Sequence, residues 1–370
     1  MKLGLDFAWA DEIVNAIKNS PAKIFDLIKT PLMLTLVVLV YEAEQEVPSE
    51  LPQFFEKLFL TMFSHHDRLK AGFRRKHNSG LSERNLQLLF EAFCFVAMRN
   101  KFGRTLTSEQ FFTSFETAKK YAVDSQCGIE DFRKDIVKVS CLMLEEGLDL
   151  TTFLHFSICE YFSASFIARS SDSIAKNFYE FSTVNYPGWN VVLAFCEKID
   201  NYRFSKYYLI PTCSAFLMDI GSTDKLDATD SDWSNFISNR LPKFEIDYGV
   251  QRQPDQNYRP VSYGPYSPGK WGDQIGMEVM SAISTATNAA LPSPLTEKQL
   301  EDLPGIFRQV PLGKKGKQYS IFLEEAISEY GEKEYLTAFK ILEREVRKRL
   351  EAAKKIVHAE ENKVKLFEIG

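Results

Sequence analysis

The stretch Leu148–Ala168, "LDLTTFLHFSICEYFSASFIA", decides the fold. Its first half alternates and is rich in β-branched residues, as in a short strand, and "SICEYFSASFIA" then takes up helical periodicity. Three helical stretches precede it. Ser82 stands as a cap before "RNLQLLFEAFCFVAMR", and "FGRT" from Phe102 breaks that helix. Thr107 and Gln110 in "TSEQFF" fit a capping box, in which each side chain satisfies the other residue's free backbone N–H. "IEDFRKDIVKVSCLMLEE" from Ile129 reads as one helix ended by Gly147. Helix, helix, helix, short strand is the order of a winged helix.

Upstream, Trp9, Ile13 and Ile17 recur every fourth residue, and Ser20–Pro21 and Thr30–Pro31 each place a cap before a helix-start proline. The apolar run Pro31–Tyr41, "PLMLTLVVLVY", has about half of the ~20 residues a membrane helix needs, so it reads as a buried helix. "SELPQFFEKLFLTMFSHHDRL" from Ser49 is a further helix with a broad aromatic face. Downstream, helices continue from Ser170 to Arg240, with "WNVVLAFCEKI" the clearest and a break expected at Pro211. "IDYGVQRQPDQNYRPVSYGPYSPGKWGD" from Ile246 is too rich in proline, glycine and tyrosine for a regular element and reads as a linker or an extended segment lying on a surface. A charge-dense helix closes the chain, with Phe339, Leu342, Val346, Leu350, Ala353 and Val357 along one face. The expected fold is mainly α: multi-helical, with a winged-helix domain carrying a short β element and a helical C-terminal region. Its expected parts are a first helical domain (1–80), the winged helix (81–168), a second helical domain (169–245), a Pro/Gly/Tyr-rich linker with a short helix (246–297) and a C-terminal helical sensor or docking region (298–370).

The 370 residues carry a net charge of -5, so nothing global attracts nucleic acid. The six cysteines are widely spaced without a C-x-x-C pair and read as reduced thiols of a cytoplasmic protein. "GKKGKQYS" from Gly313 has the wrong spacing for a phosphate-binding loop and reads as a solvated turn. His65, His66, Asp67 and His77 suggest a metal, but adjacent helical residues point about 100° apart, so no metal site is assigned. Arg68, Lys70, Arg74, Arg75 and Lys76 make the most basic stretch, either a solvated loop or a local anion contact. His155 and Cys159 resemble a catalytic pair, but their apolar setting would raise a thiol's pKa, and no catalytic residue is assigned. His155, one of five histidines, lies between Phe153 and Phe156 and on local chemistry reads as a core histidine satisfied by backbone.

Two segments carry a resemblance. "TPLMLTLVVLVYEAEQEVPSELPQFFEKLF" from Thr30 is similar to the N-P-L-x-L-x-x-L helix, and its successor, in the first helical domain of NACHT-type signal-transduction ATPases, the class of the NOD-like receptors and many bacterial anti-phage sensors. "FLHFSICEYFSASFIA" from Phe153 resembles the end of their winged helix, F-x-H-x-[ST]-F-Q-E-[YF]-x-A-A, with Ile158 and Cys159 where the family has Phe and Gln. "YPGWNVVLAFCEKI" resembles the helix opening their second helical domain. The resemblance covers roughly residues 10 to 200. It implies that Pro31 packs on the adenine of bound ADP and that His155 reaches the β-phosphate in the closed state. It also implies a partner: the chain shows neither a phosphate-binding loop nor an acidic Mg-binding strand, so ADP or ATP with Mg is expected only with an ATPase core supplied in cis or trans. By the same likeness the chain would be no enzyme alone, would self-associate on activation and would control an effector. Two other readings stay open, a DNA-binding winged-helix regulator and a helical scaffold without nucleotide. The acids in Ile129–Glu146 argue against the first.

Overall fold

The computed structural model describes residues 7–19, 31–48, 50, 52–58, 61, 77–147, 149–223, 226–241, 243–250, 258–264, 271–290, 295–302, 307–311 and 317–368. The expected helix after Pro21, His65, His66, Asp67 and the basic stretch up to Lys76 lie outside them. The chain divides into two units, residues Met1–Ala175 with Val191–Asn201, and Lys176–Asn190 with Tyr202–Gly370. The fold is mainly helical with small antiparallel sheets. Among the described residues no helix is long and apolar enough to cross a membrane.

In the first unit, α1 (Phe7–Lys18) buries Ile13 and Ile17, and α2 (Pro31–Glu44) starts at the expected proline and buries Leu36, Val37 and Val40. Helical residues 52–58 add Phe54, Phe55 and Leu58, all buried. The order that follows is α3 (Glu83–Arg99), β1 (Thr105–Thr107), α4 (Ser108–Tyr121), α5 (Ile129–Lys134), β2 (Met143–Glu146), β3 (Leu150–Phe153) and α6 (Phe156–Arg169). The strands form an antiparallel sheet in the order β1-β3-β2, which with α3 to α5 makes a winged helix. Ser82 caps α3 by accepting from the N–H of Asn85, and both arms of the Thr107–Gln110 capping box form, at 3.2 and 2.9 Å.

The third helix departs from its expected length. It continues from α5 through a wider turn, Asp135–Val139, and stops there, because Ser140 turns its hydroxyl onto the carbonyls of Asp135 and Ile136 and Cys141 adopts φ 52°. "MLEE" is therefore the outer strand of a hairpin, with Gly147 at its turn (φ 67°) rather than at a helix end. Pairing of Glu145 with Thr151 supplies the backbone hydrogen bonds that the helix would have supplied. The core between these layers is aromatic: Phe93 sits 4.8 Å from Phe111 and 5.5 Å from Phe132, and Phe90 sits 5.0 Å from Phe162. Offset and edge contacts of this kind add to simple burial.

The second unit resumes at Tyr202 within α7 (Asn201–Phe204), which runs through a wide turn, Ser205–Leu209, into α8 (Ile210–Asp219). The expected break at Pro211 is absorbed by that turn, which accommodates a residue without an N–H. After α9 (Asp230–Arg240), the stretch expected as a linker supplies β4 (Glu245–Val250) and β5 (Tyr258–Gly264). They join β6 (Arg308–Pro311) and β7 (Lys317–Phe322) in an antiparallel sheet ordered β5-β4-β7-β6. Pro260 is tolerated because β5 is an edge strand, and a register shift at Asp247/Tyr248 absorbs the irregularity. Lys317–Ser320, expected in a solvated turn, lie in β7, where Tyr319 and Ile321 are buried.

The helix α10 (Gly272–Ala290) requires its first glycine: at φ 77°, a Cβ on Gly272 would lie 2.6 Å from the Thr183 carbonyl oxygen. The closing helix α11 (Glu332–Glu368) buries Phe339, Leu342, Val346, Leu350 and Ala353 on the expected face, with Val357 half-buried. Glu343 and Arg347 of α11 clamp the loop after α8: Glu343 accepts from Ser222 and from the N–H of Ala228, and Arg347 donates to the Thr223 carbonyl. The expected segments 246–297 and 298–370 thus share one core in this unit.

Candidate functional site

His155 stands two residues past the end of β3, as the N-cap of α6. The backbone there is extended (φ -140°, ψ 142°), and Nδ1 accepts a hydrogen bond from the N–H of Ser157 at 3.1 Å. An imidazole is an uncommon cap, and the bond fixes the tautomer: with Nδ1 accepting, the ring proton sits on Nε2. The ring is half-buried rather than enclosed in the core, and Nε2 has no protein partner among the described residues. The ring therefore presents one N–H donor outward.

Arg104 is the neighbour that matters. It directs Nε to the carbonyl of Phe153 and a terminal nitrogen to the carbonyl of Leu154, each at 3.0 Å, so its guanidinium is tied to the chain just before His155. Pairing of β1 with β3, Thr105 opposite Thr152, brings it there. Burial first, and the Arg104 charge second, hold the His155 imidazole below its ordinary pKa. A depressed imidazole contributes stability above the ordinary value of about 6.5, and that contribution is lost as pH falls through the folded-state pKa, when a proton on Nδ1 would break the cap. Near neutral pH the ring is an uncharged donor beside a fixed cation, an arrangement suited to an anionic oxygen.

One turn further, Glu160 is mostly buried and its carboxyl is raised by desolvation, partly offset by a hydrogen bond from Ser157. Tyr161 stacks on Phe55 at 5.5 Å and fixes α6 against helical residues 52–58. Ile158 and Cys159, where the sequence departs from the family pattern, are fully buried. Cys159 turns its sulfur to the carbonyl oxygen of Cys94 at 3.6 Å. Pro31 opens α2 as expected, but its side chain lies outside the described residues, as does any pairing with His155.

Arg104 is the residue that sequence reasoning missed. In "FGRT" it reads only as part of a helix break, and its proximity to His155 depends on a strand pairing 47 residues apart in the chain. The third helix carries basic residues of the winged helix. The Arg133 guanidinium lies over the Phe111 ring at 4.5 Å, Lys134 pairs with Asp131 and Lys138 with Glu145. Compared with known proteins, the chain matches no family model, no curated protein and no solved structure.

Proposed function

We propose that this chain is the regulatory part of a NACHT-type nucleotide-dependent signalling switch, closing over ADP that is bound mainly by an ATPase core supplied elsewhere. The observation that carries this reading is the edge formed by His155 and Arg104: an outward Nε2–H donor whose tautomer is fixed by the Ser157 cap, next to an anchored guanidinium. A β-phosphate is the anion this edge fits, and the proline-led start of α2 and the winged-helix order of α3 to β3 support the same assignment. The residues that would hold the phosphate are His155 and Arg104, with Pro31 against the base. ATP and Mg belong to the missing core, and the chain by itself catalyses nothing. When the lid leaves the core, the contacts made only in the closed state are released, which is what a two-state switch requires. Self-association and control of an effector in the cytoplasm, in bacterial anti-phage defence, complete the proposal.

The chain alone should hold ADP weakly, in the millimolar range, since it contributes only part of the site. Equilibrium dialysis should show ADP retained over adenosine, and His155→Ala or Arg104→Gln should each weaken retention by about tenfold or more, the worth of one charge-assisted hydrogen bond. Equal retention of ADP and adenosine would refute the phosphate contact. Salt-sensitive binding of a short DNA duplex would instead favour the regulator reading.

A further inference from the structure

The second unit carries a groove of about 450 Å³ between α10 and α11. The two helices run antiparallel: the Thr287 and Tyr335 hydroxyls meet at 2.9 Å toward one end, and Arg349 donates to both carboxylate oxygens of Glu278 toward the other. Between these ties the lining is small or apolar. Ala282 and Ala338 are half-buried, Ser281 and Thr285 are exposed, and Ile341 is 49 % exposed. α10 already buries Ile275, Val279, Ile283 and Ala286 in the core, so the groove uses a second face of that helix.

The face complements itself. The alanines leave a hollow, and the branched side chain of Ile341 stands beside it. A two-fold axis parallel to the helices lays α11 of each copy on α10 of the other at the same level. Ile341 then meets Ala282 and Thr285 of the other copy, and Arg349 comes opposite that copy's Glu278, so the two ion pairs join crosswise. The charges also balance. Glu278 and Glu345 stand against Arg349 and Lys348, and Glu345 and Lys348 form no ion pair among the described residues. A neutral face with an apolar centre suits a like face, not nucleic acid or an anionic membrane surface.

The area sets the strength. The 19 residues of α10 give a length of about 28 Å, and two helices packed about 10 Å apart give a width of about 20 Å. Roughly 560 Å² per copy, about 1,100 Å² in total, lies just above the lower limit for a specific interface. Such an area makes a reversible dimer and not an obligate one.

We propose that the α10–α11 face binds a second copy of this chain, forming a weak two-fold dimer packed as a four-helix bundle. This gives the self-association proposed above a surface, but it is argued from the second unit alone and does not depend on the nucleotide reading.

The test is sedimentation velocity of the full chain without nucleotide, from micromolar to millimolar concentration, so that its outcome leaves the ADP contact untouched. The chain should pass from monomer to dimer over that range. Ile341→Glu, at an exposed position, should weaken the dimer about tenfold or more, whereas Met218→Glu, a 78 % exposed residue of α8 outside the groove, should not. The double variant Glu278→Arg with Arg349→Glu reverses the ion pair in every copy. It should dimerise with itself, yet energy transfer between labelled copies should show few mixed dimers with the wild type, where like charges would meet. A chain that stays monomeric throughout refutes the proposal. So does a dimer that Ile341→Glu leaves unchanged, or free mixing of the double variant with the wild type, since either places the contact on another surface.

Discussion

Asp135→Ala is expected to destabilise the first unit by about 3 kcal/mol, an effect set by the loss of several hydrogen bonds to one buried charge. Asp135 is fully buried within the wide turn that ends the third helix. Its carboxylate accepts four bonds from uncharged donors: the N–H and side-chain amide of Asn78, each at 2.8 Å, and the N–H and hydroxyl of Ser79, at 2.9 and 2.6 Å. These fill the acceptor sites of both oxygens and tie the turn before α3 to the end of the third helix. The charge is felt nearby. The Cys127 thiol is pushed up to about 11, by burial first and by Asp135 second. Asp135→Asn should be nearly as damaging, because an amide would turn a donor toward two donors of Ser79 or Asn78. Ser79→Ala removes one bond and should cost about 1 kcal/mol. Urea denaturation gives the energies, and hydrogen exchange should locate the lost protection in residues 77–153. A loss below about 1 kcal/mol for Asp135→Ala would mean that water replaces these bonds and that the turn is not anchored there.

Trp233→Ala should cost about 3 to 5 kcal/mol in the second unit, the range for removing a large buried aromatic. Trp233, on α9, is 0 % exposed. It stacks on Phe339 of α11 at 4.9 Å with an interplanar angle of 11°, and meets Phe236 edge-on at 5.6 Å. Its indole N–H has no partner, so the residue contributes packing rather than a hydrogen bond. Trp233→Phe should therefore recover most of the loss. Hydrogen exchange in α11 reads the effect directly: protection around Phe339 and Val346 should fall in the alanine variant and largely return in the phenylalanine variant. Unchanged exchange there would show that α11 is held without this stack.

What the sequence made legible was local. The caps at Ser82 and Thr107–Gln110, the proline start at Pro31 and the buried face of α11 follow from contacts within a few residues of each other. What it concealed was pairing at a distance. β2 reads as the end of a helix because "LMLEE" is a good helix former, and only its partner β3 and the turn at Ser140 and Cys141 make it a strand. The sheet of the second unit was hidden for the same reason. Pro260 and the glycines around it signal irregularity, whereas the edge position and the bulge at Asp247 that tolerate them are set by β7, whose Tyr319 pairs with Tyr248 some seventy residues away. The candidate edge divides along the same line. His155 was legible from its motif, while its role as a cap and the presence of Arg104 came from tertiary pairing.

The central claim, that His155 and Arg104 receive a phosphate, is tested most directly by following the His155 ring resonances by NMR across pH in the full chain, with adenosine or with ADP. The free chain should titrate His155 below the ordinary imidazole range, because burial and Arg104 disfavour its charged form. Millimolar ADP should move that titration upward, since a phosphate beside Nε2 favours the imidazolium, whereas adenosine should leave it unchanged. Identical titrations with ADP and adenosine would contradict the account.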